Sequence, residues 1–573
     1  MTGRGRAVLP ALSRAGTLCA VMGLVGMLPW ISGRDPAASL LRARMGEQTP
    51  TPEALAAIRA QLGLADGPWV HLGQWLAGLV RGDWGVSWIS GAPVLQGMLG
   101  ALAVSWTLMA AAFGVALCCA GLIALPVLLR GLHGRPTQTA GVLAATLTAL
   151  PEFMLSALFL VVFSVWLGWF PPYGWQGCSH VVLPALALGL PGGGLLGRLL
   201  GQALAASFHE AWIASWACAG ISRARIARAV LRRSLPALMP QIGMIMVAMT
   251  GGAIAVEKVF SIPGLGRAVL GAASAQDLPA LQAGLLLLLL NALAIGILAN
   301  LIRVALLGRA LTLGALPVTP PQSAPPDRRL WLVPLLVVLL LAGLVLWGLP
   351  RDPFSAQYLR LQAPGPALPL GADGLGRDVL ARIAHGAFST IGMAVLATGI
   401  ALCLGLLMGM VPRLSIGLIE VTKATPPTMA ALVTVAAMGP SAMGALVAVS
   451  AVAWAPLAAH TAALVAEARA KPHIAIAPVL GVGPLRLIPR SILPEVLAPV
   501  TRHAMLRLPG IALALAALGF LGLGARPPAP EWGLVLADML PYVERAPLAV
   551  LMPVAALALL SVLGVSLAAL LRR

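Results

Sequence analysis

The sequence predicts an all-α polytopic membrane protein with about twelve transmembrane helices, divided into two halves of six helices each. Three observations support this fold class. The chain of 573 residues is 59% hydrophobic and only 10% charged, whereas soluble proteins carry about 25% charged residues. Long uncharged runs recur along the whole chain, and a proline-rich segment separates them into two groups.

The uncharged runs are long enough to cross a bilayer as helices. A helix rises about 1.5 Å per residue, so about 20 apolar residues span a hydrocarbon core about 30 Å thick. Runs without Asp, Glu, Lys or Arg reach this length at 236–256, 281–302, 330–349, 386–412 and 548–571. Together with less pure runs, they predict spans at 12–32, 98–129, 137–168, 181–206, 236–257, 281–305, 330–349, 386–412, 414–438, 441–465, 496–520 and 548–571.

The positive charge is distributed as in membrane loops rather than on one nucleic-acid-binding face. The formal net charge is +19, and Lys and Arg lie in short segments between the apolar runs. Because cytoplasmic loops carry an excess of these residues, the pattern predicts cytoplasmic termini and an extracytoplasmic segment 33–97. The first apolar run follows Arg4, Arg6 and Arg14 and could be a signal peptide. Without an Ala-x-Ala site behind it, we expect an uncleaved first helix.

A proline-rich linker divides the chain into two predicted halves. The segment 314-GALPVTPPQSAPPDRR-329 has no apolar face to bury and cannot form a helix interior, so we expect an extended linker. The predicted domains are a first half at 1–310, a cytoplasmic linker at 311–329 and a second half at 330–573. Six spans on each side of a linker suggest two originally separate subunits joined end to end.

A similar element lies between the predicted fourth and fifth spans of each half. The first copy is 212-WIASWACAGISRARIARAVLRRSLP-236, and the second is 474-IAIAPVLGVGPLRLIPRSILP-494. In each, a small apolar stretch precedes a glycine, Gly220 or Gly481, and a basic segment then ends at Leu-Pro. A glycine can end one short helix before another begins, which suits an element that projects from the bilayer and turns back. One copy alone would be an ordinary basic loop, but two copies predict insertion into a groove of a partner protein.

These two elements resemble the coupling loops of ABC importer permeases in the dipeptide, oligopeptide and nickel branch. The first half resembles the first permease subunit of that branch, through 57-AIRAQLGLADGPWVHLGQWLAGLVRGDWGVSWISGAPV-94, 167-LGWFPPYG-174 and 256-VEKVFSIPGLGRAVLGAASAQDLPALQ-282. The second half resembles the partner subunit, through 368-LPLGADGLGRDVLARIAHGA-387 and 519-GFLGLGARPPAPEWGLVLAD-538. The motifs share the family's order and cover most of the chain.

The resemblance implies a type I importer permease in a bacterial inner membrane. In such systems a heterodimeric channel receives a small solute, of peptide or nickel/metal-chelate type, from a periplasmic solute-binding protein. Two cytoplasmic ATPase subunits, which hold ATP and Mg²⁺, drive alternating access through the coupling helices. Here both permease subunits would be one polypeptide, without a cofactor of its own and without a nucleic-acid partner.

The resemblance also implies site residues in this chain. It places ATPase coupling at Ala217, Gly220, Arg223, Arg225, Ala477, Gly481, Leu485 and Arg486. It places the outer gate, with a structural role, at Glu257, Pro263, Gly264, Gly266, Gly376, Arg377 and Asp378. The chain departs from the family at Ala214 and Ala475, near the expected coupling-loop Glu, and at Leu515, where an acid is expected.

Two charges inside predicted spans are candidate translocation-path residues. A charge within a span costs a few kcal/mol unless it is paired or faces water. Glu152 follows Pro151 in the third span, and Arg507 lies 13 residues after Pro494, or about 20 Å along a helix. We expect both side chains to face the central cavity. The alternative is an internal salt bridge that only holds helices together.

Enzyme and metal functions are not indicated. A phosphate-binding Walker A loop requires Gly-Lys-Ser/Thr, but Glu257, Thr422 and Ala470 precede the only lysines, and 371-GADGLGRD-378 has none. We therefore expect no ATP hydrolysis by this chain. Histidines in the predicted outer loops are isolated, so we expect polar surface rather than a metal site; they are His71, His180 (two residues from Cys178) and His385.

The sequence also leaves two other membrane functions open. An ion-coupled secondary transporter with twelve helices would need buried acid relays and would not explain two basic coupling loops. A non-transporting scaffold or an exporter component is the other alternative.

Overall fold

The computed structural model describes residues 16, 19–20, 22–31, 51–61, 67–135, 142–307 and 331–570. Within these ranges the chain is helical, apart from loops and isolated β-bridges such as Val86–Pro93. The predicted linker 311–329 and parts of the first predicted span and the outer segment lie outside the described residues. The helices of the first half are α1 (Leu28–Ile31), α2 (Pro52–Gln61), α3 (Pro68–Arg81), α4 (Val94–Leu132), α5 (Val142–Ala149), α6 (Glu152–Phe159), α7 (Ser179–Phe208), α8 (Ala211–Cys218), α9 (Arg223–Val259), α10 (Leu265–Ala275) and α11 (Leu278–Leu307).

From its first long helix onward, the second half repeats the order of long and short helices seen from α4 onward, with one additional short helix, α18 (Pro484–Leu487). Its helices are α12 (Leu332–Gly348), α13 (Val379–Met410), α14 (Pro412–Ala424), α15 (Pro427–Met438), α16 (Ala442–Ala470), α17 (Pro472–Ala475), α18 (Pro484–Leu487), α19 (Leu493–Leu521), α20 (Trp532–Met539) and α21 (Pro547–Leu570). A π-helical turn, Leu160–Trp166, continues α6, and another, Ile488–Ile492, joins α18 to α19.

The described helices confirm a multi-pass membrane protein. Eight are long and apolar enough to cross a membrane: Val94–Leu132, Ser179–Phe208, Arg223–Val259, Leu278–Leu306, Val379–Met410, Ala442–Ala470, Ile488–Leu521 and Pro547–Leu567. Shorter apolar helices at Glu152–Trp166, Leu332–Gly348 and Pro427–Met438 coincide with three further predicted spans.

The third predicted span of each half is broken at a proline. In the first half α5 ends at Ala149, and Pro151 (φ −65°, ψ 152°) precedes α6. In the second half the span predicted at 414–438 consists of α14 and α15, separated at Pro426 (φ −63°, ψ 146°). Proline lacks the N–H that would continue the helical hydrogen bonds, so one helix ends before this position and the next begins after it in both halves. The predicted span 414–438 therefore consists of two helices.

The described chain divides into two compact units. One comprises Met1–Leu99, Ala268–Leu286 and Leu340–Leu557, and the other comprises Gly100–Arg267, Leu287–Leu339 and Ala558–Arg573. These units are defined by contacts and differ from the predicted halves, whose boundaries at 310 and 330 stay a prediction.

Close helix packing in each half depends on glycine, but on different helices. In the first half a Cβ on Gly193 of α7 would lie 2.7 Å from Cys119 Cβ and 2.9 Å from the Ala116 carbonyl oxygen of α4. In the second half the glycine is on the other partner, because a Cβ on Gly405 of α13 would lie 2.7 Å from Leu457 Cβ of α16. Small residues let apolar helices approach closely where hydrophobic burial between them gives little driving force.

Candidate functional site

The coupling element of the first half is a short helix followed by a left-handed turn. Helix α8 ends at Cys218, Gly220 has φ 74°, and α9 begins at Arg223. Trp212 and Trp216 of α8 pack edge to face, with ring centroids 5.1 Å apart. Both rest on a small core cluster between the ends of α4, α7 and α9, whose buried members are Ala124, Val127, Leu204, Ala205, Ile226 and Val230. The predicted coupling residues Ala217, Gly220, Arg223 and Arg225 are all exposed on this element.

The coupling element of the second half is shorter and more apolar at its tip. Helix α17 has a single turn, the chain then makes further turns, and Gly481 has φ 83° before α18. Ile476, Val479 and Leu480 are 53%, 83% and 73% exposed. Ala477 is half-buried, Gly481 and Arg486 are exposed, and the side chain of Leu485 lies outside the described structure. Ile474 anchors the element in a second core cluster with Val465, Ala468, Ile492, Val496 and Val500.

An ion pair closes each coupling element onto the start of the following long helix. In the first half the Arg233 Nε donates to Glu210 Oε2 at 3.1 Å, and Glu210 Oε2 also accepts from the Trp212 indole at 2.7 Å. In the second half the Lys471 Nζ donates to Glu495 Oε2 at 2.8 Å. The partners are 23 residues apart in the first pair and 24 in the second, with the signs of charge exchanged. We call these the coupling clamps; Glu210 and Lys471 are the residues before α8 and α17.

The C-terminal end of α9 holds a buried carboxylate, Glu257, whose predicted role at the outer gate stays a prediction. Glu257 is fully buried, its Oε1 accepts from the Ser105 hydroxyl at 2.6 Å, and its Oε2 accepts from the Arg267 N–H at 2.9 Å. Ser105 in turn accepts from the Leu265 N–H at 2.8 Å. Glu257 thus ties α4 and α9 to the first turn of α10.

The predicted gate residues Pro263 and Gly264 belong to the turn between α9 and α10, and Gly266 belongs to the first turn of α10, where Glu257 accepts a hydrogen bond. Gly264 and Gly266 are buried and Pro263 is exposed. A Cβ on Gly266 would lie 2.8 Å from the Ile254 Cα. The absence of a side chain there lets the turn lie directly on α9.

The gate residues predicted in the second half belong to a buried ionic network. Arg377 Nε donates to Asp373 Oδ2 at 2.7 Å, and Arg382 donates to the same oxygen at 2.8 Å and to Asp538 Oδ2 at 2.9 Å. Asp373 and Arg382 are fully buried. Asp378 accepts from the Leu380 N–H at 2.8 Å and so caps α13. Gly376 makes the left-handed turn that aims Arg377 inward, with φ 80°.

A second buried carboxylate, Glu531, was not singled out from the sequence. It caps α20, accepting from the Gly533 and Leu534 N–H groups at 2.8 Å each, and it contacts the Thr390 hydroxyl of α13. Burial raises the pKa of Glu531 to about 7, although these hydrogen bonds favour the ionised form. The sequence did contain a signal for this residue: an acid directly before an apolar segment with helical periodicity is typical of a helix N-cap.

The two candidate path residues belong to different compact units. Glu152 begins α6, and its carboxylate lies against Gly252 of α9, since a Cβ there would be 2.9 Å from the Glu152 Cδ. Within its own unit the described residues offer Glu152 no ion-pair partner. Arg507 lies in α19, and its buried Nε has no hydrogen-bond partner in the described structure. The predicted path role of both residues stays a prediction.

The described residues offer no clustered metal ligands. No group of three or more His, Cys, Asp or Glu side chains comes together in the part of the chain that the structure describes. His71 packs against the Trp30 ring, with centroids 4.8 Å apart.

Comparison with known proteins defines the class to which these sites belong. A family model described as a binding-protein-dependent transport system inner membrane component matches residues 93–311 and again residues 397–573. The two matches cover more than half of the chain and contain both coupling elements. The protein is thus a permease of the ABC importer class, with two permease halves in one chain, and not a secondary transporter.

The chain belongs to this family of inner membrane components. It is 31% identical over 265 residues to a putative peptide transport system permease protein of Brucella abortus (strain 2308), covering 44% of this chain and 83% of that protein. It is 27% identical over 261 residues to the glutathione transport system permease protein GsiC of Salmonella typhimurium (strain LT2), with the same coverage. Such permeases are transport subunits rather than enzymes, and the family implies ATPase and binding-protein partners.

Proposed function

We propose that this single chain forms the complete membrane channel of an ABC importer for short peptides. The observation that supports it is the twofold family match within one chain, each copy with its own clamped coupling element. The chain would work in a bacterial inner membrane with both termini in the cytoplasm. Its partners would be one periplasmic solute-binding protein and two ATPase subunits, which hold ATP and Mg²⁺.

The coupling elements supply one contact surface for each ATPase subunit. In the first half the exposed surface carries Arg223 and Arg225, and in the second half it carries the apolar Val479 and Leu480. Apolar side chains exposed on a projecting turn are typical of a surface that a partner covers. The different chemistry of the two surfaces suits two different ATPase subunits.

The relatives support a peptide as the transported solute. The names of the two proteins compared above refer to peptide and glutathione transport, and glutathione is itself a small peptide. A nickel or other metal chelate, expected from the resemblance to the wider branch, has no specific support in these names.

Co-purification and reconstitution test this function. We expect two ATPase subunits and no second permease chain to accompany the detergent-extracted protein. In proteoliposomes with the binding protein, peptide uptake should require ATP and stop with vanadate. A second permease chain in the complex, or uptake that persists without ATP, would contradict the proposal.

The same uptake assay tests the candidate path residues. Glu152→Gln and Arg507→Gln remove one charge each from membrane-spanning segments. If both side chains face the path, uptake should fall while expression and ATPase binding stay normal. Normal uptake by both variants at normal expression would assign the two charges a purely structural role.

A further inference from the structure

A cavity in the second half is separate from the coupling element, the predicted gate residues and the buried ionic network. Its volume is about 310 Å³, and its lining residues are His460, Ala498, Pro499, Arg502, His503 and Leu506. His460 belongs to α16, and the others belong to α19. Ligand sites usually measure about 300–1,000 Å³, so this cavity has room for a small functional group with its apolar flank.

The polar side chains around the cavity are all basic. The rings of His460 and His503 have centroids 4.7 Å apart and planes inclined by 35°. His503 lies within electrostatic range of both His460 and Arg507, which follows it by one turn of α19. No carboxylate of the described residues pairs with either histidine or with Arg507, and none lines the cavity.

This arrangement favours an anion over a metal cation. Two histidines alone could hold a transition metal, but two arginine side chains next to them repel a cation. Arg507 lies one turn after His503, outside the residues that line the cavity, and adds a further positive charge beside them. Its buried Nε has no hydrogen-bond partner in the described structure. A carboxylate in the cavity would place a negative charge next to this group of basic side chains.

The cavity lies within the predicted spans of two helices, toward their predicted cytoplasmic ends. Arg502 and His503 lie six and seven residues after the start of the predicted span 496–520, and His460 lies five residues before the end of the predicted span 441–465. At about 1.5 Å per residue this depth is about 8–10 Å, which both a solute in passage and an anionic lipid headgroup can reach, so the lipid composition of the test membrane must distinguish the two sources.

We propose that His460, Arg502 and His503 form a carboxylate-binding subsite for the solute in passage, with Arg507 as a second positive charge beside it. The apolar wall of Ala498, Pro499 and Leu506 takes the side chain next to that carboxylate. This inference rests on the proposed import function and names the chemical group that the second half recognises, namely the terminal carboxylate of a short peptide.

Histidine footprinting tests the subsite directly. The complete complex in nanodiscs of phosphatidylcholine is treated with diethyl pyrocarbonate, and modified histidines are located by mass spectrometry. At nine-tenths occupancy, alanyl-alanine should slow modification of His460 and His503 about tenfold. His180, which is outside both the cavity and the coupling elements, serves as the internal control and should be unaffected. Alanyl-alanine amide, which lacks the carboxylate, should protect neither site.

Three outcomes would overturn the subsite. They are no protection by alanyl-alanine, equal protection by the amide, and protection that appears only when the nanodiscs contain phosphatidylglycerol. The last outcome would assign the cavity to an anionic lipid headgroup instead of the solute.

Uptake measurements separate failure of this inference from failure of the proposed function. With saturating binding protein, Arg502→Gln and His503→Gln should each lower the maximal rate of alanyl-alanine uptake about tenfold, the loss expected for a charge-assisted hydrogen bond. His180→Gln, at a histidine outside the cavity, should leave it unchanged. Absence of uptake by the wild-type complex would contradict peptide import itself. Wild-type uptake with unaffected variants would contradict only the subsite.

Discussion

The two coupling elements are each held by an ion pair to the following long helix, but the positions of the acid and the base are exchanged between the halves. In the first half an acid before the short helix pairs with a base on the following long helix, Glu210 with Arg233. In the second half a base takes the first position and an acid the second, Lys471 with Glu495. Both halves therefore have an ion pair at the same place between the short and the long helix, although the acid and the base stand at opposite ends of it.

Buried carboxylates at the predicted outer end of each half show the same pattern. Glu257, at the end of α9, and Glu531, directly before α20, both accept hydrogen bonds from backbone N–H groups of the short helix that follows the fifth span. Each also contacts a hydroxyl on the second span, Ser105 in one half and Thr390 in the other. The carboxylate comes from different places in the chain, but it joins the same elements.

The largest expected difference between the halves concerns the ionic network of the second half. Arg382→Met removes one of the two arginines that pair with the buried Asp373, and it leaves Asp538 with only the longer 3.6 Å contact to Arg377. Removing one partner of a buried ion pair costs about 3–5 kcal/mol. We expect a strongly lowered melting temperature for the purified complex, measured by the loss of folded protein after heating. Arg360→Met, at an exposed arginine of the same segment that contacts Tyr542, is the matched control and should change little. Equal melting temperatures for both variants would show that the network contributes no stability.

The two buried carboxylates provide the next comparison. Glu257→Ala and Glu531→Ala each leave backbone N–H groups without an acceptor, and a buried unsatisfied donor costs about 1–3 kcal/mol. If the two carboxylates stabilise their halves equally by accepting these hydrogen bonds, both variants should lose thermal stability to a similar extent. Glu544→Ala, at an exposed acid, is the control. A large loss for one variant and none for the other would contradict the equivalence.

Replacing the two glycines of the coupling elements should cost somewhat less free energy than replacing the buried carboxylates. Gly220 and Gly481 have positive φ and no atom within 4 Å of an added Cβ, so alanine there introduces backbone strain alone. A left-handed conformation costs a residue with a Cβ about 1–2 kcal/mol. We expect Gly220→Ala and Gly481→Ala to lower the ratio of peptide uptake to ATP hydrolysis. Gly483→Ala has the same free space without a positive φ, so a similar effect there would refute the backbone explanation.

The sequence predicts the helices of this protein better than the contacts between them. Uncharged runs placed the long spans, and a glycine before each basic segment indicated the turns at Gly220 and Gly481. Pro426 could have indicated the break between α14 and α15, because proline ends a helix for local reasons. The clamp between Glu210 and Arg233 could not be predicted in this way. Its partners are 23 residues apart, and only the turn of the chain between them brings them together.

Exchanging the two charges of one coupling clamp tests most specifically whether the ion pair matters rather than its individual residues. Its expected effect on stability is the smallest of these variants. Both clamps are partly exposed, and such pairs contribute about 0–1 kcal/mol, so the readout must be coupling rather than melting. Arg233→Glu places a second acid beside Glu210 and should lower uptake per ATP hydrolysed. Adding Glu210→Arg rebuilds the pair with the polarity that Lys471 and Glu495 already have, and it should restore most of the coupling. If the double variant stays as defective as the single one, the individual side chains contact the ATPase subunit, and the clamp is not what positions the element.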